Sequence, residues 1–152
     1  MAEYARELVT VSVIENGVIE VAIARPEVRN ALNEATALAL NEALAAVARN
    51  EQVRCVILHG EGSAFCAGAD LEEFEKATTQ PASERLETLF LPALRSLMTM
   101  DKPVIAAVSG AAAGIGVSYV LASDMVVMGS SAYLKLAFIN IGLIPDGGAC
   151  WH

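Results

Sequence analysis

Lys102-Pro103-Val104-Ile105-Ala106-Ala107-Val108-Ser109-Gly110-Ala111-Ala112-Ala113-Gly114-Ile115-Gly116-Val117-Ser118 is the stretch on which the fold turns. Its first half is a continuous apolar run, the pattern of a strand buried on both faces. Its second half is a string of small residues punctuated by Gly110, Gly114 and Gly116, which predicts a turn and then a short helix over 116–122. No charge occurs from Pro103 to Ser123, and mean hydropathy is high at +0.47, so a membrane span is the competing reading. The repeated interruptions by Pro103, Ser109, Ser118 and the glycines favour a buried strand, a turn and a helix instead.

Similar units lie on either side. Leu8 to Ile14 and Val18 to Ala24 are β-rich runs around Asn16-Gly17, which predicts a hairpin of two antiparallel strands. Arg25-Pro26-Glu27-Val28-Arg29-Asn30 reads as a polar loop with Asn30 as N-cap of an amphipathic helix over 31–49. Val53 to Leu58 predicts another buried strand, and Gly60 to Gly68 a loop. Asp70 is expected to cap a short helix, with Glu73 at capping-box spacing. Gln80-Pro81-Ala82-Ser83 breaks the chain, and Ser83 is expected to cap a helix running through Leu86, Leu89, Phe90, Leu94 and Leu97. Pro92 should kink it. Met125 to Met128 predicts a further strand, and Pro145-Asp146-Gly147-Gly148 a turn. Strands alternating with helices give an α/β layered fold with parallel pairings.

The chain has 152 residues, enough for one domain, here taken as 1–152, with a real core. Hydrophobic residues at 55% against 18% charged exclude a disordered chain. A net charge of −8 argues against a nucleic-acid partner, which needs the opposite sign. Three cysteines without metal-like spacing fit a reducing, cytoplasmic setting, and the polar start Met1-Ala2-Glu3-Tyr4 does not read as a signal peptide. His59 and His152 lie far apart, so no metal site is expected. Dinucleotide spacing, a P-loop lysine and a nucleophile elbow are all missing.

Two small-residue segments could carry chemistry: Ser63 to Asp70 and Ser109 to Gly116. Each follows a predicted strand and precedes a predicted helix. Bare backbone there admits a ligand closely, and helix N-termini offer free N–H donors for a developing oxyanion. Tight strand–helix packing would select the same residues. Asp146 reads either as an ordinary turn residue or as a carboxylate base beside an apolar pocket, desolvated by Phe138, Leu143 and Ile144. Cys66 reads as a small packing residue.

In order along the chain, Arg25-Pro26 with Asn30-Ala31-Leu32, Phe65 to Leu71, Lys102 to Gly110, Gly114-Ile115-Gly116, Ala122-Ser123-Asp124 and Gly142-Leu143-Ile144-Pro145 resemble the enoyl-CoA hydratase/isomerase (crotonase) superfamily. The resemblance implies a crotonase-like spiral of ββα turns that binds an acyl-CoA thioester, with coenzyme A as part of the substrate and no other cofactor. It implies two backbone N–H donors for the thioester oxygen, assigned by position to Ala67 and Ile115. It also implies that substrate meets Arg25, Val28, Arg29, Gly68, Ala69, Asp70, Leu71, Gly114, Phe138 and Leu143, with Arg25 and Arg29 read about equally as phosphate ligands or solvated loop residues.

The two glutamates with which hydratases of this superfamily place a water would fall at Ser118 and Phe138, so water addition is not expected. Some isomerases of the superfamily, the phenylacetate-pathway type foremost, carry an aspartate where Asp146 stands. The expected activity is therefore an acyl-CoA isomerase that shifts a double bond or opens a strained ring, with Asp146 as acid/base. The alternatives are a catalytically silent acyl-CoA-binding scaffold, a hydratase relative lacking both glutamates, and a dehalogenase relative that would need a histidine base not seen here. Superfamily members continue past Gly148 with a helical segment that covers the pocket and builds trimers or hexamers. That segment is expected to be absent from a chain ending Cys150-Trp151-His152, and oligomerisation is expected only where it is supplied.

Overall fold

The computed structural model describes residues 5–75 and 81–152. The readings made on Met1 to Tyr4 and on Gln80 lie outside them. A short helix α1 (Ala5–Leu8) leads into β1 (Val9–Val13) and β2 (Val18–Ile23), which pair antiparallel. The turn is the one Asn-Gly predicts: Asn16 and Gly17 both take positive φ, 51° and 81°, the requirement of a tight hairpin that follows the strand twist. After helix α2 (Glu34–Arg49) comes β3 (Cys55–Gly60), parallel to β2. Helices α3 (Leu71–Glu75), α4 (Ala82–Arg85) and α5 (Leu91–Thr99) precede β4 (Val104–Val108), parallel to β3. Next are β5 (Ala111–Ala113), helix α6 (Ile115–Leu121), β6 (Met125–Met128) and β7 (Tyr133–Lys135).

The main sheet runs β1-β2-β3-β4-β6. A second layer is built from the short segment that follows each main strand. β5 pairs with β7, Cys66 bridges to Ala112, and Leu32 bridges to Ala69, all in parallel. The chain thus makes successive strand–strand–helix turns, the spiral expected from the resemblance. Helix α2 buries Ala37, Leu40, Ala43, Leu44 and Val47 against the sheet, joined from β3 and β4 by Val56, Leu58, Val104 and Ala106. In contrast, all four residues of β6 are exposed. Among the described residues no helix is long and apolar enough to cross a membrane.

Several local expectations need correction. Helix α2 starts at Glu34, and its N-cap is Asn33, whose Oδ1 accepts from the Thr36 N–H at 2.8 Å. Asn30 instead sits fully buried at φ 58° and clasps the loop: its Nδ2 donates to the Glu61 and Ala64 carbonyls, and its Oδ1 accepts from the Arg25 N–H. Asp70 and Glu73 close no capping box. The Asp70 N–H donates to the Leu32 carbonyl, and the Glu73 carboxylate accepts from the Glu34 N–H. Ser83 makes no cap, since α4 begins after Pro81. Pro92 does divide the helix, through a π-helical turn over Leu86–Phe90. Proline lacks the N–H that would bond the Thr88 carbonyl, and the backbone widens just before it.

Lys102 explains its own place in the opening motif. Its ammonium donates to the carbonyls of Val47, Ala48 and Asn50, which satisfies and neutralises the C-terminal end of α2. Cutting the Asn30 clasp should be costly, because it strands buried backbone carbonyls and leaves a left-handed residue unsupported. Asn30→Ala is expected to lose about 2–4 kcal/mol of stability, read as a lowered urea midpoint at unchanged slope.

Candidate functional site

The two small-residue segments meet as bare backbone. A Cβ added to Gly68 would lie 3.6 Å from the Gly114 Cα and 2.9 Å from the Ala113 carbonyl oxygen. Gly68 is at φ +97° and Gly114 at φ +52°, conformations that L side chains rarely adopt. Gly116 is held as tightly, since a Cβ there would come within 2.6 Å of the Cys66 oxygen.

The positive φ at Gly68 breaks strand alternation. Before it, the Ala67 N–H points to the Arg25–Asn30 loop and donates to the Arg29 carbonyl at 2.9 Å. Ala67 is therefore no free donor, which corrects the assignment drawn from the motif. Beyond Gly68, the Gly68 carbonyl and the Asp70 N–H both face Leu32. The N–H of Ala69 consequently lies on the opposite edge, the side of β5, and among the described residues it meets no acceptor. The N–H of Ile115 is likewise free, as the first of helix α6, whose N-cap Gly114 already accepts from Val117. Alternation counting from a motif could not reveal this; the glycine in the motif was the signal that the register changes.

Asp146 joins these segments through the turn that carries it. The Ser118 hydroxyl, fully buried on α6, donates to the Asp146 main-chain carbonyl at 3.1 Å. A Cβ on Gly147 would fall 2.6 Å from Ile115 Cδ1 and 2.8 Å from the Ser118 side chain, so the turn rests directly on the first turns of α6. The Asp146 carboxyl is half-buried, and its Oδ1 is shielded from solvent with no partner among the described residues. Burial pushes its pKa above the ordinary 3.8. That burial does not come from Leu143 and Ile144, which are exposed, Ile144 by 85%; Phe138 is buried. The buried neighbour that feels the carboxylate is Tyr119, whose pKa rises well above 10.0 through burial first, then the charges of Cys66 and Asp146. The Tyr119 hydroxyl donates to the Phe90 carbonyl at 3.3 Å. Cys66 is raised to about 12 by burial, which suits a packing residue and not a nucleophile.

The remaining site residues separate. Arg25 is committed inside the fold: its Nη1 donates to Asp70 Oδ2 at 2.9 Å and to the Ala31 carbonyl at 2.7 Å. The pair is largely shielded, so Arg25 is a clasp between the loop and the 67–70 segment, and the reading as a phosphate ligand falls to Arg29. Arg29 is exposed and meets no acceptor with its guanidinium among the described residues. Val28, Leu71 and Leu143 are exposed apolar side chains at 39%, 56% and 48%. Among the described residues no group of acids, histidines or cysteines could hold a metal ion.

An acid whose folded pKa is raised is favoured by folding only while neutral. The contribution of Asp146 to stability should therefore fall as pH climbs from 3.8 through the higher folded value. Asp146→Asn should match wild type in thermal melts at acid pH and melt higher than wild type at neutral pH.

Residues 13–152 match the family model for enoyl-CoA hydratase/isomerase. The chain is 40% identical over 141 residues to the 1,2-epoxyphenylacetyl-CoA isomerase of Escherichia coli (strain K12), covering 91% of this chain and 54% of that protein. Among solved structures, an enoyl-CoA hydratase from Polaromonas sp. JS666 superposes with a TM-score of 0.84 at 36% identity, over 94% of this chain and 56% of that one. An enoyl-CoA hydratase from Bacillus anthracis gives a TM-score of 0.87 at 30% identity, over 93% and 55%. The chain spans about half the length of the curated relatives it matches. It has the crotonase fold over that span and belongs to the enoyl-CoA hydratase/isomerase family.

Proposed function

We propose that this member of the enoyl-CoA hydratase/isomerase family is an acyl-CoA isomerase in which Asp146 moves the proton. The observation that carries the reading is the unpartnered, shielded Oδ1 of Asp146 on a turn seated against the same helix start that offers the Ile115 N–H. An unsatisfied buried carboxyl oxygen is costly to keep, and a raised pKa is what a base working near neutral pH needs.

The thioester oxygen of the substrate accepts hydrogen bonds from the N–H groups of Ala69 and Ile115. Charge moving onto that oxygen in the enolate strengthens both bonds, and loss of one such donor costs about 3–4 kcal/mol of transition-state stabilisation. The Asp146 carboxylate takes a proton from the carbon next to the carbonyl. The electron pair left behind spreads over the oxygen and an adjoining double bond. Asp146, now protonated, returns the proton to the far end of the conjugated system and is a carboxylate again. The net result is a shifted double bond, with no water consumed. The same enolate chemistry serves a strained ring adjacent to the thioester. Relatives named for either activity are about equally similar, a 1,2-epoxyphenylacetyl-CoA isomerase at 40% identity and a probable enoyl-CoA hydratase at 42%. What supports isomerisation over hydration is Ser118 and Phe138, neither of which can activate water as a carboxylate would. The exposed guanidinium of Arg29 is the cation available for a coenzyme A phosphate.

Asp146→Asn keeps the size of the side chain and removes the base. It should bind an unreactive acyl-CoA analogue in calorimetry as wild type does, while conversion of a 3-enoyl-CoA to its conjugated isomer falls ~10²–10⁴-fold. Undiminished conversion by the variant would make Asp146 a turn residue only. Binding without conversion by the wild-type chain would instead favour an acyl-CoA-binding role.

A further inference from the structure

We propose that Ser118 is the positioning residue for Asp146, holding the turn that presents the carboxyl and reserving the space in which that turn sits. The inference deepens the proton-transfer reading of Asp146 and rests on it for its kinetic consequence. Three observations carry it. First, the Asp146 side chain does not hold itself in place by its shielded oxygen, since Oδ1 bonds to nothing among the described residues. Its position is therefore inherited from the backbone of its turn. Second, that backbone is tied to α6 by a side chain: the fully buried Ser118 hydroxyl donates to the Asp146 carbonyl at 3.1 Å. The same carbonyl accepts from the Ala149 N–H at 3.1 Å, which closes the turn on itself but does not anchor it to the helix. Third, the space is filled. A Cβ on Gly147 would lie 2.8 Å from both Ser118 Cβ and Oγ, so the turn already touches the smallest side chain that can donate a hydroxyl.

Helix geometry turns this contact into a link between the two halves of the site. Ile115 and Ser118 are three residues apart and share a face. The first supplies a main-chain donor at the helix start, and the second fixes the turn of the base. The titratable group that Asp146 acts on from the packed elements is Tyr119 on α6, which is held neutral at ordinary pH and does not titrate alongside it.

The test compares Ser118→Ala, Ser118→Thr and Gly147→Ala with wild type and Asp146→Asn in the same chain. Isomerisation of a 3-enoyl-CoA is followed against pH, and the Asp146 carboxyl is titrated by carbon NMR. Ser118→Ala should lose ~10-fold in kcat, the equivalent of one modest hydrogen bond, with KM little changed. The Asp146 midpoint, and the acid limb of the pH profile with it, should move down toward the ordinary carboxylate value as water reaches a loosened turn. Gly147→Ala, which pushes the turn off α6 by contact alone, should reproduce both effects, and Ser118→Thr, which keeps the hydroxyl but adds a methyl group in the same filled space, should displace the turn in the same direction. Ser118→Ala with wild-type kcat and an unmoved Asp146 midpoint would overturn the proposal. If Asp146→Asn isomerises as well as wild type while Ser118→Ala still shifts the midpoint, the proton-transfer reading fails and the anchoring of the turn stands.

Discussion

Backbone against backbone at Gly68 and Gly114 is the contact on which the rest of the structure depends. No side chain separates the two segments, and both glycines hold positive φ. Because Gly68 reverses the strand there, the N–H of Ala69 faces β5 instead of Leu32. Because Gly114 opens α6, the N–H of Ile115 is left without a helical acceptor. Two main-chain donors are thereby left without an acceptor among the described residues, on either side of one close contact. Around this contact the Arg25–Asp70 pair and the Asn30 clasp hold the first segment, while Lys102 fastens the helix behind the main sheet.

The proposed base is held in the opposite way. Asp146 is held through its carbonyl while one carboxyl oxygen is left unsatisfied. Such a group weakens the fold at the pH where it is charged, and that cost supports the proposed proton-transfer role. Donors without acceptors and an acid without partners form a complementary set. A thioester that accepts from the former and gives a proton to the latter satisfies both.

Much of the fold was legible in the sequence because it rests on local rules. Asn16-Gly17 demands its hairpin, the periodicity of Ala37 to Val47 its helix, and Val104 to Val108 its buried strand. The opaque parts are those where a distant partner overrides a local preference. Asn30 looks like a helix cap, but carbonyls from the 61–64 loop claim its amide. Arg25 looks like a phosphate ligand, but Asp70, far along the chain, takes its guanidinium. Ser83 precedes a helix without capping it, and the π-helical turn before Pro92 follows from a missing N–H that patterning does not count. At the proposed site, the turn that carries Asp146 and the helix start at Ile115 are visible in the sequence as residues. The donor on the other segment is not. Whether Ala67 or Ala69 is free depends on the sign of one dihedral angle, and only the bonds to Arg29 and Leu32 reveal it. The hydrogen bond of Ser118 is hidden for the same reason, because its partner is a carbonyl contributed by a turn elsewhere in the chain.

In the proposed reaction the amides of Ala69 and Ile115 converge on one carbonyl oxygen, and Asp146 reaches the carbon beside it. A crystal structure of the chain with a non-isomerisable acyl-CoA thioester is the decisive measurement. The thioester oxygen should lie within hydrogen-bond distance of both amides, with the Asp146 carboxyl against the neighbouring carbon. An oxygen bound away from those two amides, with the carboxyl turned to solvent, would rule this arrangement out.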